Sequence, residues 1–215
     1  MVLWTLPNLV SFSRIVAAPI LYALIVWQVR YGYAIALLVF ILASLSDTAD
    51  GELARRRGQV SPFGVYLDTT ADKILVAVLL VALVSVRAVP AWMAAVIIAR
   101  EFLVTGLRAY GAALGIVIPA GGWGKAKTVI TIGALLLVLL AGDAMRDGVL
   151  SSQQGVVDAV LLRHYGLYTI PIWSLLVATI WTVGSGAEYI REALPMLTHR
   201  PATPARRHTD RPFSD

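Results

Sequence analysis

Apolar stretches long enough to cross a bilayer recur six times along this chain, at roughly 9–29, 32–56, 62–86, 89–112, 124–142 and 165–188. A helix needs about 20 mostly apolar residues to span the hydrocarbon core. In lipid every backbone polar group must be satisfied internally, which leaves helices and closed barrels, and runs of this length are helical. The expected fold is all-α: a polytopic membrane protein of six transmembrane helices, preceded by a short interfacial segment over residues 1–8. Residues 1–194 form one membrane domain and 195–215 a basic, disordered cytoplasmic tail. No basic n-region opens the chain, so no cleaved leader is expected. The 143–164 connection is long for a helical bundle. Hydrophobic residues make up 58% of the chain and charged ones 14%, against about 25% charged in soluble domains. A soluble enzyme, a disordered chain and a disulfide scaffold are thereby excluded. Zero cysteines also remove thiol nucleophiles and Cys-ligated zinc.

The charges inside these stretches follow a rule. Arg14 lies near the start of the first, Asp47 and Asp50 late in the second, and Asp68, Asp72 and Lys73 open the third. Arg100, Glu101 and Arg108 lie late in the fourth, and Lys125 and Lys127 open the fifth. Consecutive spans run in opposite directions, so all of these fall in one leaflet and line one polar cavity. Arg55, Arg56, Arg57, Lys125, Lys127, Arg191 and the tail arginines share that side, against Arg30, Arg87, Arg146 and Arg163 on the other. By the positive-inside rule the cavity faces the cytoplasm, in the cell's inner membrane. The net charge of +5 is accordingly read as loop and headgroup charge, with no nucleic-acid partner.

Ionisable residues at membrane depth are functional by default. Asp47 with Asp50, and Asp68 with Asp72, are spaced to share a helix face. Only the short 56–61 segment joins their helices, which are expected to pair as an antiparallel hairpin that brings the carboxylates together. Lys73 and Arg55 neutralise two of the four at most, and four converging carboxylates repel strongly. Hard divalent ions, Mg²⁺ or Mn²⁺, suit all-oxygen ligation. Two such ions form the clamp used for in-line displacement at phosphorus. A carboxylate relay in a cation- or proton-coupled transporter is the alternative of another class. It is disfavoured because the charges stay in one leaflet.

Asp47, Asp50, Gly51, Ala54, Arg55, Gly64, Asp68 and Asp72 fall in the pattern D-x2-D-G-x2-A-R-x8-G-x3-D-x3-D. This resembles the signature of the CDP-alcohol phosphatidyltransferases at every defined position. The resemblance implies a metal-assisted attack by an alcohol on the lipid-bearing phosphorus of CDP-diacylglycerol, with CMP leaving. It implies Asp47, Asp50 and Asp68 as metal ligands, and Asp72 as general base and second-metal contact. Gly51, Ala54, Arg55 and Gly64 would hold the CDP-lipid, the glycines by letting backbone approach the nucleotide. A homodimer is implied as well.

Other stretches resemble the family members that use glycerol 3-phosphate: Pro7-Asn8-Leu9-Val10-Ser11 with Arg14, Ala99-Arg100-Glu101-Phe102 with Gly106-Leu107-Arg108, and Gly124-Lys125-Ala126-Lys127-Thr128. Arg108, Lys125, Lys127 and Arg100 form the expected acceptor pocket, since an uncharged acceptor has no use for so many cations. Plain positive-inside charge is the alternative for that cluster. Glu101 is expected to pair with Arg100 or Arg108. Sister enzymes acting on inositol phosphate or on phosphatidylglycerol remain the nearest alternatives. His164, His199 and His208 take no role.

Overall fold

The computed structural model describes residues 6–56, 62–115, 122–146, 148–149 and 169–198, without the side chains of 6–7, 47–56, 62, 122–125, 169 and 196–198. The expected 143–164 connection lies mostly outside the described residues, as do 1–5 and the tail beyond 198. Six helices and no strand occur among the described residues: α1 Leu6–Val26, α2 Gly32–Arg56, α3 Pro62–Ser85, α4 Ala91–Ala113, α5 Gly122–Met145 and α6 Thr169–Thr198. Two boundaries differ from expectation. Helix α1 begins inside the supposed interfacial segment, and α6 runs through Pro195 to Thr198, so the first residues assigned to the tail are helical.

Helix ends are set locally. At the end of α1, Gln28 takes a left-handed conformation (φ 52°). The amides of Gln28 and Val29 then reach back to the carbonyls of Ile25 and Leu24. Arg87 (φ 60°) does the same after α3, where its amide and that of Ala88 bond to Val84 and Leu83. Both are Schellman caps, which satisfy carbonyls that a helix end would otherwise leave bare. Pro90, extended at φ −61°, ψ 131°, opens α4, where its missing amide costs the helix nothing.

The principal packing pairs are α1 with α3, α1 with α2, α2 with α5, α5 with α6, α6 with α4, and α4 with α3. They close a ring in the order α1–α2–α5–α6–α4–α3. The core draws on all six helices, including Leu21 and Ile25, Phe40, Leu79 and Leu83, Ile97, Leu135 and Leu139, and Leu175. The outward faces are apolar too: Leu9, Phe12, Val16 and Ile20 on α1, Leu38, Leu42 and Leu45 on α2, and Trp173, Val177 and Ile180 on α6 are all exposed. Helices that are hydrophobic all round belong in a membrane.

Among the described residues, three helical stretches are long and apolar enough to cross one: Asn8–Val26, Ala126–Met145 and Ile170–Pro195. The apolar helical stretch described in α2, Gly32–Ser46, is shorter. Helices α3 and α4 each carry three charged side chains, Asp68, Asp72 and Lys73 on one and Arg100, Glu101 and Arg108 on the other. Of the residues that make these two helices poor spans, Asp68, Asp72, Arg100 and Arg108 are among the site residues expected above.

Among the described residues α2 and α3 are not a principal packing pair; α1 packs against both. The two motif helices flank α1, so the hairpin expected from their short connection has a third helix at its side.

Candidate active site

Helix α1 carries a buried polar stripe, Asn8, Ser11 and Arg14, at 6%, 3% and 2% exposure. The spacing of three keeps these residues on the inward side, while Leu9, Phe12 and Val16 face out. A guanidinium this deep requires a partner, and α3 supplies it. Arg14 donates from Nη1 to Asp68 Oδ1 at 2.9 Å, and Ser11 donates from Oγ to the same oxygen at 3.1 Å. The Asp68 side chain itself is 48% exposed, so its anchored oxygen faces the protein while the carboxylate remains open. Gly64, Asp68 and Asp72 follow one another at four-residue intervals along α3, which places them on one face.

Among the described residues, Asp68 is paired with a cation that the sequence reading did not assign to it. Lys73 turns back to its own helix, donating to the Thr69 carbonyl at 3.2 Å. The partner of Asp68 is Arg14. The sequence-level charge count passed over Arg14 because it lies more than fifty residues away on another helix.

Asp47, Asp50, Gly51, Ala54 and Arg55 all fall within the helical span of α2, and their side chains lie outside the described residues. Among the described residues no group of three or more His, Cys, Asp or Glu is placed to hold a metal. The described half of the expected quartet is Asp68 and Asp72.

A second polar junction joins α4, α5 and α6. Glu101 on α4 accepts from Arg100 Nη1 at 3.2 Å and also from Lys127 Nζ on α5. All three side chains are largely buried, at 12% exposure for Arg100, 17% for Glu101 and 11% for Lys127. Arg100 Nη2 donates to Ser185 Oγ on α6 at 3.0 Å, and the Ser185 hydroxyl donates in turn to the Thr182 carbonyl at 3.1 Å. Gly186 leaves the room: a Cβ there would stand 3.0 Å from Arg100 Cγ and 3.3 Å from Nε. Lys73 on α3 lies within electrostatic range of Lys127, although α3 and α5 are not neighbours in the ring.

The expected acceptor quartet is therefore divided. Arg100 and Lys127 meet through Glu101, which pairs with Arg100 as expected and with Lys127 rather than Arg108. Arg108 is exposed and lies within electrostatic range of Tyr189 instead. The side chain of Lys125 lies outside the described residues. Sequence reasoning gave no role to Ser11, Arg14, Ser185 or Gly186. For the first two a signal existed, since three polar residues at three-residue spacing interrupt an apolar helix. Ser185 and Gly186 sit in a run of small residues, Gly184-Ser185-Gly186, that is ordinary in membrane helix packing.

The family model for CDP-alcohol phosphatidyltransferase matches residues 4–183. A CDP-diacylglycerol–glycerol-3-phosphate 3-phosphatidyltransferase of Bacillus subtilis is 39% identical over 202 residues, covering 87% of this chain and 94% of that protein. One of the same name from Pseudomonas fluorescens is 37% identical, covering 89% and 91%. The Arabidopsis thaliana protein numbered 2 under that name is 32% identical, covering 83% and 81%. A match that runs from the start of α1 into α6, with relatives aligned over most of their own length, means that the chain belongs to the CDP-alcohol phosphatidyltransferase family.

Proposed function

We propose that this chain is an integral-membrane transferase that moves a phosphatidyl group from CDP-diacylglycerol to glycerol 3-phosphate, giving phosphatidylglycerophosphate and CMP. The observation that carries this reading is the agreement of relatives from two bacteria and a plant, all bearing one activity in their names and aligned over more than four-fifths of this chain. The junction on α4 and α5 supports the acceptor. Two cations against one carboxylate leave one positive charge unbalanced, and a phosphate is the anion such a group holds best. An acceptor without a phosphate leaves that surplus unexplained.

The donor set suits hard divalent ions. Asp47, Asp50, Asp68 and Asp72 offer oxygen only, with no histidine in the motif, and Mg²⁺ or Mn²⁺ prefers such ligands. With Oδ1 of Asp68 taken by Ser11 and Arg14, Oδ2 is the oxygen left to offer. Two ions bound by this set would hold the pyrophosphate and offset the charge that develops at phosphorus.

The chain's own residues do the rest. The acceptor hydroxyl oxygen bonds to the lipid-bearing phosphorus as the bond to CMP breaks, and Asp72 takes the hydroxyl proton. A carboxylate tied to ions is a poor base, so this role falls to the least metal-engaged of the four. Gly51, Ala54, Arg55 and Gly64 hold the CDP-lipid, and Arg100 and Lys127, with Lys125 and Arg108 nearby in sequence, hold the acceptor phosphate. All six helices cross the inner membrane, the polar ends face the cytoplasm, and the working form is a homodimer.

CMP release by the detergent-purified protein tests this reading. CDP-diacylglycerol with Mn²⁺ is offered glycerol 3-phosphate, inositol 1-phosphate, phosphatidylglycerol, inositol or serine. Release with glycerol 3-phosphate alone is expected. Release with a different acceptor alone would replace the assigned acceptor, and no release with any would overturn the transferase reading.

A further inference from the structure

Helix α1 contributes no carboxylate to the expected metal site, yet it places two donors on one of them. Arg14 and Ser11 converge on the same oxygen, Asp68 Oδ1, at 2.9 and 3.1 Å. Asp68 is half exposed, and an exposed aspartate swings freely between rotamers. Arg14 is fixed by contrast: it is 2% exposed and sits in the α1–α3 interface, the most extensive in the ring. The guanidinium is planar and always charged, with donors in a rigid fork. A hydroxyl and a guanidinium on one oxygen set both the position and the tilt of the carboxylate, which neither does alone. Both α1 donors fall on Oδ1, which leaves Oδ2 as the oxygen to offer.

We infer that Arg14 and Ser11 are positioning residues for metal ligation, holding Asp68 by Oδ1 so that it presents Oδ2 as a single-oxygen ligand. This rests on the metal reading given above. Donors that orient a metal ligand are worth about 10–100-fold in metal affinity or activity. Arg14 also keeps a positive charge beside Asp68, which discourages a bidentate grip on the ion by that carboxylate. Removing the charge would mix two effects of opposite sign on metal affinity. The informative variants therefore conserve charge.

Ser11→Ala deletes one donor and no charge, and Arg14→Lys keeps the charge but loses the fork. Mn²⁺ binding is measured on the purified full-length protein without substrate, by the electron paramagnetic resonance signal of free Mn²⁺. Each variant is expected to bind Mn²⁺ about 10-fold more weakly, with turnover recovering toward the original as Mn²⁺ is raised. A merely structural role would lower thermal stability and leave the Mn²⁺ affinity of the folded fraction unchanged. Unchanged affinity in both variants overturns the inference. If Arg14→Lys does not fold, Ser11→Ala decides alone, because losing one hydroxyl at an otherwise packed position is a small perturbation. Failure of the original protein to bind Mn²⁺ at all would be a different result, overturning the metal reading on which the inference rests.

Discussion

Two carboxylates at the polar end of the ring are treated in opposite ways. Glu101 is enclosed: it is 17% exposed, and both of its cationic partners are more buried still. Asp68 is open: it is 48% exposed, with one cation held behind it at 2%. At the first junction a carboxylate gathers two cations, and the surplus charge is positive. At the second Arg14 is bound behind Asp68, on a helix face that also carries Asp72. One end of one bundle thus presents a closed corner with two cations and an open corner with an accessible carboxylate. The proposed reaction, in which a phosphate-bearing alcohol meets a pyrophosphate held by metal ions, would draw on both. The contrast predicts that isosteric removal of charge will have different consequences in the two places.

The largest effect is expected at the open corner. Asp72→Asn removes the proposed proton acceptor while keeping shape, and general-base contributions are about 10²–10⁴-fold. Turnover should fall by that order, with Mn²⁺-dependent binding of CDP-diacylglycerol and the thermal midpoint both retained. Unchanged turnover would take Asp72 out of the base role. At the closed corner the same kind of change should act on the fold. Glu101→Gln leaves Arg100 and Lys127 side by side and largely buried, and breaking a buried ion pair by removing one partner costs about 3–5 kcal/mol. A marked drop in the thermal midpoint in detergent is expected. If Glu101→Gln instead matched the original midpoint, the corner would be better solvated than its burial indicates, and the contrast would fail.

The two corners also differ in how far they could be read from sequence. The six helices were legible because apolar runs separated by short polar breaks leave few other folds. The aspartate motif stood out because its spacing is fixed along two consecutive helices, and the structure describes its second half, Asp68 and Asp72, four residues apart on α3. The ring order was not legible, since nothing local makes α1 the neighbour of both motif helices. The partner of Asp68 was hidden for the same reason: Arg14 could be placed on the cavity side, but nothing local pairs it with Asp68 until α1 is laid against α3. The closed corner was half legible. Its cations stood out, and Glu101 was expected to pair with one of them, but the choice of Lys127 over Arg108 depends on how α4, α5 and α6 meet. Ser185 and Gly186 carry no charge to draw attention, and their importance lies only in what Arg100 does beside them.

Smaller effects test whether the closed corner touches the acceptor. Lys127→Ala removes one of its two cations, and a hydrogen bond to a charged group is worth about 1.5–3 kcal/mol. The apparent KM for glycerol 3-phosphate should rise by roughly 10-fold or more on that basis, and more than the KM for CDP-diacylglycerol. An equal rise in both would remove Lys127 from acceptor recognition.

The smallest expected effect is the most specific. Gly186→Ala puts a methyl group 3.0 Å from Arg100 Cγ and 3.3 Å from Nε, so the arginine stem must yield by a few tenths of an ångström. Its guanidinium is tethered to both Glu101 and Ser185, which limits where the stem can go. Overpacking costs about 1–3 kcal/mol, and a flexible stem puts this case near the low end. About 1 kcal/mol corresponds to roughly a five-fold rise in KM for glycerol 3-phosphate. Gly184→Ala is the natural control: it lies one position before Ser185 on the same helix, and a Cβ there meets nothing within 4 Å. It should leave both KM values unchanged, and alanine's better helix propensity should if anything raise the midpoint. If the two alanine variants behave alike, the position of Arg100 does not matter to the acceptor. The closed corner would then be a structural clasp between α4, α5 and α6 rather than the phosphate's seat.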